Sequence, residues 1–170
     1  MNATPTDFLA SIKRESERAI GLSQRLLQAT ALDGTEISRV VIPADQGIYL
    51  WRVKKGREIV YVGTALEEFG LRRAIEGQDL MSIYQKSIFR NQLSSEYRLN
   101  RGKKAVKFIL ANFTLAYLPC PDQVPVTILL AQLLLIGAFR PRYNTYPYFP
   151  SQKGKREVKS RWCPKPWVLL

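Results

Sequence analysis

The spacing of hydrophobic positions changes along the chain, and each spacing predicts one kind of element. Over residues 7–28 apolar side chains recur every three or four positions, which is typical of an amphipathic helix. Over residues 47–63 two runs of β-branched and aromatic residues flank Gly56, a pattern typical of two antiparallel strands joined by a tight turn. Alternation over residues 113–118 predicts a third strand, and the nearly unbroken apolar run over residues 125–138 predicts a helix buried across a small sheet.

Weaker patterns predict the elements that connect these. A β-branched run over residues 37–42, stopped by Pro43, predicts an edge strand. Three further helices are expected over residues 65–77, ended by Gly77, over residues 81–99 and over residues 105–111. The predicted fold class is therefore α/β, with a three-stranded antiparallel sheet flanked by helices.

Length and composition limit how this fold is divided. With 170 residues, 46% of them hydrophobic, the chain can bury one ordinary core. We therefore expect one α/β domain over residues 45–149, an N-terminal helical extension over residues 1–44 and a basic aromatic tail over residues 150–170. The most apolar run, residues 124–139, is shorter than the roughly 20 residues that span a bilayer, so we expect no membrane partner and a cytoplasmic location.

Charge and residue usage narrow the chemistry. The formal net charge of +12 indicates a polyanionic partner, nucleic acid before an anionic membrane surface. The chain contains no histidine, which excludes His-dependent triads and His metal ligands. Its two cysteines, Cys120 and Cys163, lack the spacing of a zinc or redox motif and are typical of free thiols in a reducing compartment. Any metal site would have to use oxygen ligands, and no small-molecule cofactor is expected.

Short motifs occur in a fixed order along the predicted domain. Gly47-Ile48-Tyr49 opens the first strand, and Tyr61-Val62-Gly63 closes the second. Further along, Gln132 lies on the apolar helix, and Arg140-Pro141 precedes Asn144. Over roughly residues 47–144 these motifs resemble those of the GIY-YIG nuclease family, in which a metal-binding glutamate and an asparagine have the spacing of Gln132 and Asn144.

The resemblance implies a DNA endonuclease that hydrolyses phosphodiester bonds with one divalent ion, Mg²⁺ or Mn²⁺. By match to the motifs, Tyr49 would activate water and Asn144 would provide a supporting amide. Tyr61 and an arginine, either Arg72 or Arg73, would hold the phosphate. A metal ion and an arginine together would offset the charge that builds on the phosphate.

Three positions depart from the family pattern. Gln132 stands where the family has its metal-binding glutamate, and a neutral amide offers a hard cation only a weak ligand. Ala74 stands three residues after Leu71, where the family commonly has its arginine, and Asp79 lies where a His or Tyr often follows. These departures are consistent with a scaffold that binds DNA without cutting it, with a deliberately inactivated chain, or with ligands placed elsewhere.

The C-terminal part of the chain is strongly basic. Trp162 and Trp167 are interleaved with its cations, a composition that suits phosphates and unstacked bases but also suits a tail that only aids solubility. The predicted nucleic-acid-binding residues are Arg140, Arg142, Lys153, Lys155, Arg156, Lys159 and Arg161.

Two functions therefore remain open. The first is a metal-dependent DNA endonuclease, impaired by Gln132, in which Tyr49 and Tyr61 take part in the reaction. The second is a non-catalytic nucleic-acid-binding protein on the same scaffold. In that case the tyrosines are half-buried strand aromatics, and the Gln132 amide is held by hydrogen bonds from Tyr49, Tyr61 or Asn144.

Overall fold

The computed structural model describes residues 5–56, 58–66, 70–81, 87–99 and 102–144, in which one sheet lies between two layers of helices. The strands are β1 (Gly47–Val53), β2 (Ile59–Ala65) and β3 (Phe113–Pro119). The helices are α1 (Pro5–Gln28), α2 (Gly34–Ile37), α3 (Gly70–Arg72) with its π-helical continuation (Arg73–Leu80), α4 (Ile88–Glu96), α5 (Lys103–Asn112) and α6 (Pro125–Phe139). None of these helices is both long and apolar enough to cross a bilayer.

The sheet is antiparallel throughout, and β1 is its central strand, between β2 and β3. In the β1–β2 pair, Tyr49 lies opposite Gly63 and Trp51 lies opposite Tyr61. The register then shifts between Trp51 and Arg52, so that Val60 is an extra residue in β2. The predicted α/β class with a small three-stranded antiparallel sheet is thus confirmed.

Alternation along β1 divides the core between the two faces of the sheet. Ile48 and Leu50 pack in one cluster with residues of α1 and α6, which we call the α1–α6 layer. Tyr49 and Trp51 pack on the other face with residues of the π-helical segment, α4 and α5, which we call the α4–α5 layer. The side of the sheet on which a residue lies therefore decides which candidate chemical groups it can meet.

The predicted edge strand over residues 37–42 is wrong, because a short helix ends at Ile37 and a turn follows it, in which the Arg39 and Val40 N–H groups donate to the Glu36 carbonyl. The carboxylate of Asp33 accepts hydrogen bonds from the backbone N–H groups of Thr35 and Glu36, at 2.8 and 3.0 Å. The carboxylate of Glu36 accepts one from the Asp33 N–H at 2.7 Å. This reciprocal capping box begins α2, which ends at Ile37, and the cap overrides the β-branched composition that follows.

The segment after β2 also differs from its prediction. Gly77 does not end a helix but lies inside the π-helical segment, whose last turn is closed by a 2.6 Å bond from the Met81 N–H to the Glu76 carbonyl. The helix predicted over residues 81–99 is shorter and begins at Ile88, where Ser87 is the N-cap and accepts from the Arg90 N–H at 2.9 Å. Residues 82–86 of that prediction lie outside the described residues.

Gly63 generates a prediction about stability, because the Tyr49 ring lies directly over it. A Cβ atom at Gly63 would stand 2.3 Å from Cζ of Tyr49. We expect Gly63→Ala to lower the free energy of unfolding in urea by about 1–3 kcal/mol, the usual cost of overpacking a core. The control is Gly21→Ala in α1, where a Cβ meets nothing within 4 Å and a gain of up to about 1 kcal/mol is expected. Equal effects of the two substitutions would show that the ring does not occupy this place.

Candidate functional site

Tyr49 and Tyr61 lie side by side, as the predicted hairpin allows. Their ring centroids are 6.1 Å apart and the rings are tilted by 52°. The two residues are diagonal neighbours across the β1–β2 pair, within reach of aromatic side chains. Tyr49 is only 3% exposed, however, and Tyr61 is half-buried. The pair is therefore part of the core of the α4–α5 layer.

A buried carboxylate lies beside the tyrosines, and it comes from the π-helical segment. Asp79 is 2% exposed and accepts hydrogen bonds from Nε1 of Trp51 at 2.9 Å and from Oγ of Ser87 at 2.6 Å. The phenol of Tyr49 lies close enough to this carboxylate and to Tyr61 for all three groups to affect one another's ionisation. Both carboxylate oxygens are thus engaged by neighbouring side chains.

Burial controls the ionisation of this cluster. Burial raises the pKa of Asp79 from 3.8 to about 6. Interactions with Ser87, Trp51 and Tyr49 and the charge of Arg90 lower this pKa, but by less than burial raises it. Burial, and then the Asp79 charge, raise the pKa of Tyr49 well above its usual value of 10.0, and the same two causes raise that of Tyr61. Both phenols therefore keep their protons at neutral pH, when they can donate hydrogen bonds but are poorly suited to abstract a proton from water.

The basic side chain of this cluster is Arg90, not either of the two arginines that the motifs implied. Arg90 is 1% exposed, donates from Nη1 to the Met81 carbonyl, and interacts electrostatically with Asp79. Arg72 is exposed, and its Nε donates to the Ile42 carbonyl at 2.8 Å. Arg73 is exposed at the start of the π-helical segment.

Asn144 pairs with the backbone of β2 along the strand's outer edge. Its Oδ1 accepts from the Val62 N–H and its Nδ2 donates to the Val62 carbonyl, both at 2.8 Å. One residue earlier, the Tyr143 N–H donates to the Val60 carbonyl at 2.9 Å. The segment that contains Asn144 therefore takes the place of a neighbouring strand, and the amide side chain imitates a backbone pair.

Gln132 reaches the same edge from α6. Its Nε2 donates to the Val62 carbonyl at 3.1 Å, and its Oε1 lies 3.4 Å from the hydroxyl of Thr64. Thr64 pairs with Ile48, whose side chain is in the α1–α6 layer. Gln132 thus approaches the sheet from the face opposite Tyr49, and the structure does not bring it together with the tyrosine pair. Its amide is hydrogen-bonded, as one interpretation expected, but by Val62 and Thr64.

The implied Mg²⁺ or Mn²⁺ does not fit this set of donors. The amide groups of Gln132 and Asn144 are engaged with β2, and Asp79 is enclosed by hydrogen-bond donors in the other layer. Within the part of the chain that the structure describes, there is no group of three or more His, Cys, Asp or Glu residues that could hold a metal ion. A hard cation needs several oxygen ligands directed at one point, and these residues do not supply them.

The predicted nucleic-acid-binding residues are only partly within the described chain. Arg140 is exposed and ends α6 in a left-handed conformation, with φ of 48°. Arg142 is also exposed and forms a 2.5 Å ion pair with Glu96. The five tail residues of the prediction, Lys153, Lys155, Arg156, Lys159 and Arg161, lie outside the described residues.

Arg142 also lines a cavity. This hairpin cavity lies between the β1–β2 turn, α5 and the segment that follows α6, and its volume is about 380 Å³. Its lining is formed by Val53, Lys54, Lys55, Glu58, Val60, Tyr97, Phe108, Ala111, Asn112, Phe113, Arg142 and Tyr143. The residues come from five separate parts of the sequence, so no local motif indicates it.

The burial of Arg90 and Asp79 also could not be predicted from the sequence. Polar residues in helices are expected on the solvent side, whereas Arg90 is buried and its charge interacts with that of Asp79. The available signal was Ser87, because a serine just before an apolar helix indicates an N-cap and fixes where α4 begins.

Comparison of the chain with protein-family models, with curated proteins and with solved structures finds no match. The resemblance to GIY-YIG nucleases therefore depends on the motif residues themselves and on the neighbouring positions of Tyr49 and Tyr61.

Asp79 generates a prediction about pH. Because its pKa is higher in the folded protein than the usual 3.8, its contribution to stability is present below about pH 4 and is lost as the pH rises through about 6. Asp79→Asn does not titrate, so the stability of the natural chain relative to this variant should fall by about 3 kcal/mol between those limits, measured by urea unfolding at a series of pH values. Ser87→Ala should move the upper limit to higher pH, because the Ser87 hydroxyl stabilises the ionised carboxylate. A relative stability that does not vary with pH would contradict the assignment.

Proposed function

We propose that this protein is a non-catalytic nucleic-acid-binding protein on a GIY-YIG-like scaffold, and that it binds phosphates around the hairpin cavity. The observation that carries the proposal is the presence of three exposed cations, Lys54, Lys55 and Arg142, beside aromatic side chains at one end of the sheet. Exposed cations next to flat apolar rings suit a partner that combines phosphates with bases.

The placement of these cations depends on the rigid sheet. The Lys54 N–H donates to the Asn112 carbonyl at 2.8 Å, which joins the end of β1 to the end of α5. Lys54 also has a 3.7 Å ion pair with Asp33 at the surface, where such pairs contribute little stability and exchange readily for a phosphate. Three more exposed lysines, Lys103, Lys104 and Lys107, lie on α5. The backbone of Lys54 is therefore anchored to the end of α5, and the side chains of Lys54 and Lys55 are open to solvent.

The tyrosine cluster and the β2 edge support binding without catalysis. The raised pKa of Tyr49 opposes its use as a base, and the amides of Gln132 and Asn144 are engaged in covering β2. The endonuclease that the motifs imply would require these groups to leave their partners. Leaving a buried polar group without its hydrogen bond costs about 1–3 kcal/mol, so the present arrangement is favoured over one in which these groups move to bind a metal ion.

The salt dependence of DNA binding tests where the phosphates are held. If Lys54 and Lys55 each contact one phosphate, the double variant Lys54→Gln/Lys55→Gln should lower the slope of log affinity against log salt by about 1.8 for duplex DNA. The control is Lys13→Gln/Arg14→Gln, which removes the same charge from exposed positions of α1 in the other layer and should leave the slope unchanged. Fluorescence anisotropy with labelled DNA measures both. Equal slopes for the two variants would place the binding surface elsewhere.

The same binding mixtures also test for catalysis. With Mg²⁺ or Mn²⁺ present, we expect labelled single-stranded and duplex DNA to remain uncut while binding persists. Metal-dependent cleavage that Tyr49→Phe abolishes would contradict the non-catalytic function and would support the endonuclease.

A further inference from the structure

The hairpin cavity has the dimensions of a binding site for a small aromatic group. Its volume of about 380 Å³ is within the range of ligand pockets in proteins. Its depth is lined by apolar side chains of β1, β2 and β3, namely Val53, Val60 and Phe113. Cations lie at its surface, as the exposure of Lys54 and Lys55 shows. The cavity thus combines an apolar interior with a positively charged surface.

Aromatic rings form one wall of the cavity. Tyr97 and Phe108 have ring centroids 4.6 Å apart, and Phe108 lies 6.3 Å from Phe113. Phe113 and Phe108 are packed within the core, whereas Tyr97 is 44% exposed at the end of α4. A flat ligand can therefore stack against Tyr97 without any rearrangement of the core.

A second part of the lining, Arg142 and Tyr143, is held in place by one carboxylate. Glu96 accepts a hydrogen bond from the Tyr143 hydroxyl at 2.9 Å and forms the 2.5 Å ion pair with Arg142. The guanidinium carbon of Arg142 also lies 5.9 Å from the centre of the Tyr143 ring. Glu96 thus positions an aromatic ring and a cation together. Glu58 is a carboxylate in the lining itself, among two lysines and Arg142.

We propose that the hairpin cavity receives one unpaired base of a single-stranded nucleic acid, stacked on Tyr97, while Lys54, Lys55 and Arg142 bind the phosphates on either side of it. This inference rests on the proposed function and adds a substrate class to it. A base in a duplex is stacked and paired, so it cannot enter the cavity unless it leaves the helix. The site therefore favours single strands or duplexes with unpaired bases.

The test is Tyr97→Ala, measured by anisotropy with a labelled single-stranded oligonucleotide and with the matching duplex. Loss of one stacked base should weaken single-strand binding by roughly 5- to 150-fold, and duplex binding should change less than about twofold. Tyr97→Phe keeps the ring and should retain single-strand affinity. Phe139→Ala removes a ring of similar exposure, 47%, from the end of α6 and should affect neither substrate.

The outcomes separate this inference from the proposed function. If the natural chain binds no nucleic acid, both are wrong. If it binds with the expected salt dependence but Tyr97→Ala and Phe139→Ala behave alike, only the base site is wrong. Deoxyadenosine monophosphate supplies the same ring with a single phosphate and should compete only weakly. Competition by this mononucleotide as strong as that by the oligonucleotide would overturn the proposal in favour of a small-molecule site.

Discussion

The two hydrogen bonds between the Asn144 amide and the backbone of Val62 join the segment after α6 to the open edge of the sheet. An exposed strand edge invites pairing with other chains, and a buried backbone group without a partner costs about 1–3 kcal/mol. Asn144 pairs with the N–H and the carbonyl of Val62, so this part of the β2 edge is neither open to another strand nor left without partners. Gln132 donates a further hydrogen bond to the same carbonyl. The same contact fixes the segment before it, which places Tyr143 and Arg142 at the hairpin cavity.

This constraint changes what the motif residues can do. An amide that is hydrogen-bonded to a strand is less available as a metal ligand. Replacing Gln132 by a glutamate would also put a carboxylate oxygen against the Val62 carbonyl, where the Gln132 Nε2 now donates. On the other face, Tyr49 is covered by the core, and burial and the charge of Asp79 raise the pKa of its phenol. In this structure the motif residues therefore have structural roles, because Tyr49 packs in the core and the amides of Gln132 and Asn144 bind the edge of β2. The same residue types that suit catalysis also suit the stabilisation of a small sheet with an open edge.

The elements that the sequence predicts well are those with strong periodicity. The hairpin, β3, α1 and α6 follow from alternation or from the helical repeat, and their ends agree with the structure to within about two residues. The edge strand over residues 37–42 is wrong because the capping box of Asp33 and Glu36 outweighs β-branched composition. Gly77 misleads because a glycine is tolerated within a π-helical turn as well as at a helix end.

The candidate site is harder to predict than the fold, because its contacts join distant residues. Tyr49 and Tyr61 could be paired from strand register alone, whereas the bond from Trp51 to Asp79 and the charge interaction of Arg90 depend on tertiary packing. The side of the sheet from which Gln132 approaches is also beyond local patterns. It is set by how α6 packs against α1, and both helices are apolar on more than one face.

The most direct test of this account is a titration of the ¹⁵N-labelled protein with a single-stranded oligonucleotide, followed by the chemical shifts of its backbone amides. If the hairpin cavity is the binding surface and the motif residues are structural, the largest shifts should occur at Lys54, Lys55, Asn112 and Arg142. The amides of Val62 and Gln132 should then change little, with or without Mg²⁺. Shifts concentrated at Val62 and Gln132 that require Mg²⁺, with none at the hairpin, would contradict the account and would assign the chemistry to the motif residues.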